Sequence, residues 1–157
     1  MHHQWLNRLL TLMIIGCAFY GNAYAAPDCN FDCMLQRHIQ AIHDRDFDAF
    51  KSTISDDPII DFILPNGRAF EQRDDYLNMI QGWFNESGWH FKPAIIRTIT
   101  SPEMGVALLK VDYSEDDRGG EPYHLQHYLT LIFKLQNNEW RLVLDQNTKI
   151  ETPAQSE

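Results

Sequence analysis

The sequence predicts an α+β domain in which helices gather on one side of an antiparallel sheet. Three observations predict it. Between Asp28 and Phe84 apolar residues recur mainly at three- and four-residue steps, the period of a helix with one buried face. From Trp89 onward the chain is rich in β-branched residues and alternates apolar with polar side chains. Short polar segments bearing Gly, Pro or Asn separate these stretches, and no internal repeat or low-complexity tract interrupts them.

The elements follow in order. Phe31, Leu35, His38/Ile39 and Ile42 form the stripe of a first helix spanning Asp28 to His43. Asp44-Arg45-Asp46 breaks it, and Phe47, Phe50 and Ile54 continue a shorter second helix capped by Asp44 or Asp46. Ile59-Ile60-Asp61-Phe62-Ile63-Leu64 is an apolar run interrupted once, which reads as a strand buried on both sides and closed by the turn Pro65-Asn66-Gly67. A third helix follows near Glu71 to Phe84. Asp74 and Asp75 suit its first turn, and Tyr76, Ile80, Trp83 and Phe84 form its buried face. A four-stranded meander then runs Trp89–Thr100, Met104–Tyr113, Tyr123–Leu135 and Trp140–Ile150. Its last hairpin is made by Gln136-Asn137-Asn138-Glu139.

Ahead of this domain, residues 1–25 read as a cleaved secretory signal. Arg8 precedes the apolar run from Leu9 to Tyr20, and Ala23-Tyr24-Ala25 supplies the small-x-small cleavage site. The run is shorter than the roughly 20 residues a membrane span needs. The expected product is a periplasmic or secreted domain, residues 26–157, of single-domain size. The alternative is a lipoprotein, because Ile14-Ile15-Gly16-Cys17 resembles a lipobox and acylated Cys17 would tether the domain to a membrane. Removing the signal takes away only Arg8 among the charged residues, so the formal charge moves from −9 to −10. So acidic a surface repels phosphate backbones, and nucleic-acid partners are not expected. Cys29 and Cys33 remain in a compartment where thiols oxidise. Their spacing suits either a local bridge at a non-helical start or a pair of free thiols, and it is not the spacing of a redox motif.

The order of elements resembles the nuclear transport factor 2-like superfamily, and within it the polyketide-cyclase (SnoaL-like) and steroid isomerase-like branch. The features that carry the resemblance are the tandem opening helices, the strand leading through Pro65-Asn66-Gly67 into helix three, and the ending Asn138-Glu139-Trp140-Arg141-Leu142-Val143-Leu144-Asp145-Gln146-Asn147-Thr148. That ending is similar to the family's glycine-x-Trp-Arg-Ile-Val strand. The resemblance implies a strongly curved sheet that forms a cone around an apolar cavity for a small ligand. It also implies a homodimer paired through the open face of the sheet, and it places the family's histidine position nearest Gln146.

Several side chains are candidates for chemistry. Asp61 sits among apolar residues; burial there would raise its pKa and make it a general base or a protonated donor, while the plainer reading is a hydrogen-bonded acid at a sheet edge. His124 and His127 fall on opposite faces of one strand, so they do not converge on a metal, and neither metal nor cofactor is expected. His127 shares its face with Leu129, Leu131 and Phe133, as either an acid–base group at the cone mouth or a satisfied structural histidine. Tyr76 and Trp83 lie on one helix face, as ligand-lining aromatics or as ordinary core. Asp145 and Gln146 close the last strand near the implied cavity as ligand-binding groups. Phosphate loops, nucleophile elbows and calcium-loop spacing are absent from the sequence. The functional expectation is an exported domain that binds a small apolar or carbonyl ligand, with any catalysis being proton transfer; the alternative is a non-catalytic dimerising or partner-binding module.

Overall fold

The computed structural model describes residues 29–151, so the signal segment 1–25 and Cys17 lie outside the described residues. Helix α1 spans Phe31–Asp44. The Asn30 side chain accepts the Cys33 N–H at 2.9 Å and so satisfies one donor of the open first turn. Cys29 precedes this cap, where the backbone is not helical. Its Cα lies 5.4 Å from that of Cys33, and the two form a disulfide, which resolves the choice left open by spacing.

Arg45 ends α1 in the left-handed region at φ 55, and its N–H reaches the carbonyls of Ala41 and Ile42. Its guanidinium stacks over the Trp89 ring at 4.1 Å and donates to the Glu86 and Trp89 carbonyls. The break seen in the sequence is therefore also a tie to the far end of the helical layer. Asp46 caps α2 (Phe47–Ser52) by accepting the Ala49 N–H, and α2 buries Phe50 completely.

Strand β1 (Ile59–Ile63) is buried on one side only. Ile60 and Phe62 point into the core, whereas Ile59 and Asp61 are exposed. This corrects the expectation of a strand covered on both faces. The helices pack on the inner side of the sheet, and among the described residues no element covers the outer side, so alternation wins over the apolar run. The Pro65-Asn66-Gly67 turn leads not straight into a helix but into an unpredicted strand, β2 (Ala69–Gln72), antiparallel to β1. Gly67 takes φ 84 in that turn and donates its N–H to the Leu64 carbonyl. Helix α3 (Arg73–Asn85) starts where β2 ends, with Asp74 and Asp75 in its first turn, and buries Tyr76, Leu77, Ile80 and Phe84.

The meander follows as β3 (Trp89–Thr100), β4 (Met104–Glu115), β5 (Tyr123–Gln136) and β6 (Glu139–Lys149). Asn137 and Asn138 both take positive φ in the two-residue β5–β6 turn, the geometry that matches the twist of the strands. The sheet order is β2-β1-β6-β5-β4-β3. Its one departure from the expected antiparallel arrangement is the parallel pair β1/β6, in which Asp61 faces Leu144 and Ile63 faces Gln146. The chain reaches β6 only after α3 and the full meander, and so returns beside β1 in the same direction.

Register shifts fall between Ile95 and Arg97 on β3 and between Ile132 and Phe133 on β5. In the second, Leu144 and Leu142 face consecutive β5 residues, so Val143 is an extra residue on β6. Such bulges bend a strand and increase its twist, and here they help curl the open sheet around the helices. The concave side carries Leu109, Val111, Leu131, Phe133 and Leu142, all 0 % exposed, against Phe31, Leu35, Phe50 and Tyr76. Gly105 makes room for the first aromatic of α1. A Cβ built there would lie 2.2 Å from the Phe31 ring, which itself packs edge-on against Phe133 and Trp140.

Candidate functional site

Past the bulge at Val143, the parity of β6 changes. Trp140 and Leu142 face inward before it, and Asp145 and Asn147 do so after it. Asp145 then lies between Leu131 on β5 and Phe62 on β1 and is 6 % exposed. Burial in these apolar surroundings pushes its carboxyl up from 3.8 to about 7, against the opposing pull of two donors. Those donors come from two elements. The Tyr76 hydroxyl of α3 donates to Oδ2 at 3.2 Å, and Asn147 Nδ2 donates to Oδ1 at 2.9 Å.

Tyr76 is fully buried, with its ring 4.5 Å from that of Phe62. Burial, with the neighbouring Asp145 charge, drives its hydroxyl well above the ordinary value, so it remains a donor. Asn147 Nδ2 also donates to the Ile63 carbonyl at 3.0 Å, which pins the amide. A protonatable carboxyl held between a phenol and an amide can store a proton near neutral pH or donate it to an oxygen.

His127 lies two residues before Leu129 on the same inner face and is 5 % exposed. Burial lowers its pKa from 6.5 to about 4, while the nearby Asn147 side chain works in the opposite direction. Its Nδ1 is buried without a partner. Between about pH 4 and about pH 7 the usual order is inverted: Asp145 holds its proton and His127 does not. His124, on the opposite face, is exposed and pairs with Asp112 at 3.1 Å.

The structure thus joins Tyr76 to Asp145, places His127 four residues from Leu131 along the same inner face, and sends the other three candidates elsewhere. Asp61 is exposed, so the burial that would have activated it is absent. Gln146 points to the outer face and is exposed, because the Val143 bulge hands the inner position to its neighbours. Trp83 is half-buried at the far end of α3, stacked on Trp89 with centroids 4.3 Å apart, and donates Nε1–H to the Tyr113 hydroxyl at 3.2 Å. Tyr113 donates in turn to Glu115, which Arg118 holds from the β4–β5 loop while stacked over Tyr123. Burial and Glu115 raise the Tyr113 hydroxyl well above its ordinary value. Phe91, Tyr123 and Leu125 extend this aromatic end of the inner face, half-buried.

Two surface grooves, of about 730 and 370 Å³, lie away from this cluster, one between β2 and α3 and one beside the β5–β6 turn. Both are open and polar, whereas Asp145 and His127 are interior, so burial and hydrogen bonding locate the site better than groove size. Among the described residues, no group of three or more His, Cys, Asp or Glu could hold a metal ion, and no helix is long and apolar enough to cross a membrane.

The family model of the SnoaL-like domain matches residues 33–146. The chain belongs to this family. The SnoaL-like domain is also similar in fold to solved nuclear transport factor 2-like structures. A ketosteroid isomerase-like protein from Erwinia carotovora atroseptica superposes with TM-score 0.65 at 15 % identity, covering 77 % of this chain and 94 % of that one. A nuclear transport factor 2-like superfamily protein from Salmonella enterica serovar Typhimurium gives 0.63 at 15 %, covering 79 % and 91 %. A candidate calcium/calmodulin-dependent protein kinase type II association domain from Thiobacillus denitrificans gives 0.66 at 13 %, covering 78 % and 97 %. At such identities the likeness is one of fold. No curated protein matches the chain.

Asn147 is the neighbour of Asp145 that sequence reasoning left without a role in this SnoaL-like domain. It was visible as one of three polar residues ending an apolar strand. Its fixed position, bridging Ile63 and Asp145, follows from the β1/β6 pairing, which no local pattern announces.

Proposed function

We propose that this SnoaL-like domain binds a small, mainly apolar molecule bearing an oxygen function at the inner face of its sheet, and that any catalysis there is proton transfer through Asp145. The observation that carries this reading is the buried carboxyl at about 7, held by Tyr76 and Asn147. A carboxyl so poised donates or accepts a proton near neutral pH, whereas His127, lowered to about 4, stays uncharged there. The half-buried aromatics Trp83, Phe91 and Tyr123 supply apolar surface for the rest of a ligand.

The same reading makes the domain exported, periplasmic or secreted, with residues 1–25 removed. The Cys29–Cys33 bridge supports it, since such bonds persist in oxidising compartments. It also makes the protein a homodimer paired through the outer face of the sheet. Ile96, Ile99, Met104 and Tyr128 are exposed there or at its edge, Ile99 by 60 %, in an apolar patch of the kind that marks an interaction surface.

Native mass spectrometry of the protein recovered from its exporting host tests these points together. The expected result is a dimer of chains beginning at Ala26, carrying a small co-purified molecule that Asp145→Asn weakens or loses. Ile99→Glu is expected to give monomers of unchanged helix content. A chain retained intact in the cytoplasm would defeat export, and an empty protein indifferent to Asp145→Asn in every ligand screen would defeat the binding reading.

A further inference from the structure

The sheet ends at β2, and among the described residues no strand lies beyond it. The turn before β2 fixes which of its backbone groups are open. The Leu64 N–H donates to the Arg68 carbonyl at 2.9 Å, so Arg68 turns its backbone groups toward β1. Alternation along an antiparallel ladder turns Phe70, opposite Phe62, the same way and turns Ala69 and Glu71 outward. The register shift sets Ile60 and Asp61 of β1 against Glu71 alone, so the extra residue belongs to β1 and β2 keeps its alternation. The N–H and C=O groups of Ala69 and Glu71 thus form a short open ladder on the free side of β2.

That ladder borders the groove of about 730 Å³, which the stretch from Arg68 to Glu71 shares with Asp75, Asn78 and Met79 of α3. These three helical residues stand at three- and four-residue steps and share one face of α3, away from buried Tyr76, Leu77 and Ile80. Phe70 and Met79 are half-buried and give the groove apolar surface. An extended chain laid here would find backbone partners on one side and a helix wall on the other.

Charge decides what kind of chain fits. Glu71 and Asp75 are exposed, and the neighbouring Arg73 pairs with Asp56 and Asp74 instead. Arg68 holds its guanidinium 4.6 Å over the Phe70 ring. The groove therefore carries two carboxylates against one guanidinium, on a chain of formal net charge −9. Two copies joined at this edge would crowd four carboxylates into one seam, and short charged edges are a means by which sheets avoid pairing with themselves. The same charge favours a cationic partner.

Independently of the ligand reading above, we infer that the β2 edge docks an extended cationic peptide segment of another protein, which adds a strand along Ala69 and Glu71, lays an apolar side chain on Phe70 and Met79, and sets lysine or arginine against Glu71 and Asp75. Main-chain hydrogen bonds supply the attraction common to any strand, and the alternate side chains supply the choice. With four residues, β2 offers about 13 Å of pairing, so the contact is short and sensitive to salt.

The test uses the mature protein recovered from its host, labelled with nitrogen-15, and three capped hexapeptides: one alternating lysine and valine, one alternating glutamate and valine, and the lysine peptide with every amide N-methylated. At low salt the lysine peptide is expected to bind about tenfold or more tighter than the glutamate peptide, and to shift the Ala69 and Glu71 amides and slow their exchange. N-methylation is expected to weaken it about tenfold or more, because the added strand loses its donors. Glu71→Lys combined with Asp75→Lys is expected to reverse the preference between the first two peptides at unchanged helix content, and the amide readout on the natural chain stands without that variant. Equal affinity for the two charged peptides, indifference to N-methylation, or shifts confined to other strands would overturn the inference. So would Ala69 and Glu71 amides already protected in the free protein: protection lost on dilution would assign the edge to a second copy, and protection independent of concentration to another part of the same chain.

Discussion

Asp145→Asn removes the one buried carboxyl at the candidate site, and its effect on stability has a sign and size that follow from its surroundings. In the unfolded chain the carboxyl loses its proton near 3.8; in the folded domain burial keeps that proton until about 7. The folded state therefore binds more protons across that interval, and the Asp145 contribution to stability is full below 3.8 and lost as pH rises toward 7. At 1.36 kcal/mol per unit, the complete loss is about 4 kcal/mol, of which about 3 kcal/mol falls between about pH 5 and about pH 8. The substitution carries no titrating proton. Stability measured against the wild type by urea unfolding, followed through tryptophan fluorescence at fixed protomer concentration, should thus shift in favour of the variant by about 3 kcal/mol over that interval. Taking the difference between the two proteins cancels the opposite slopes of the buried histidines, which both retain. A difference constant to within about 0.5 kcal/mol from about pH 5 to about pH 8 would mean that Asp145 ionises normally in the folded domain, and the argument for a proton store would fail.

Three further outcomes are expected. His38 is fully buried; its Nδ1 meets the Thr53 hydroxyl at 2.7 Å, and burial lowers its pKa from 6.5 to about 3, so stability drains as pH falls through that interval. His38→Phe should flatten the acid limb of a circular-dichroism titration by up to about 5 kcal/mol between about pH 7 and about pH 3. Gly105→Ala should destabilise by about 1–3 kcal/mol in thermal or urea unfolding, because the new methyl enters the Phe31 ring; Phe31→Leu in the same chain should recover part of the loss. Asp61→Asn should change neither stability, beyond about 0.5 kcal/mol, nor ligand affinity by calorimetry, because the side chain it alters faces solvent.

Much of the fold was legible because its signals are local. The stripe of α1, the Asp46 cap, the Asn137-Asn138 turn and the four meander strands each announce themselves within a dozen residues. Strand β2 did not, since four residues with a single large apolar side chain, Phe70, are too short to show alternation. Nor did the parallel seam between β1 and β6, which joins segments far apart in the chain. Which candidate side chains lie inside was half legible for the same reason. Asp61 and Asp145 both interrupt apolar runs, and only the packing decides which is inside. On β6, counting inward positions from Trp140 and Leu142 leads to Gln146, and the extra residue at Val143 shifts that count by one. His127, upstream of any such shift relative to Leu129, was placed on the correct face by alternation alone.

The β1/β6 seam also sets a timetable. Every other neighbouring pair of strands is joined by a direct connection, but β1 meets its second partner only when residues near position 144 exist. Until then the β1–β2 hairpin has an unsatisfied edge, and Tyr76 and Phe62 wait for the acid that completes their neighbourhood. During synthesis the ribosome must deliver almost the whole domain before the sheet can close and the buried contacts of Asp145 can form. A chain cut short anywhere before β6 would lack both the seam and Asp145 itself, so maturation of the architecture and of the candidate site is a single late event.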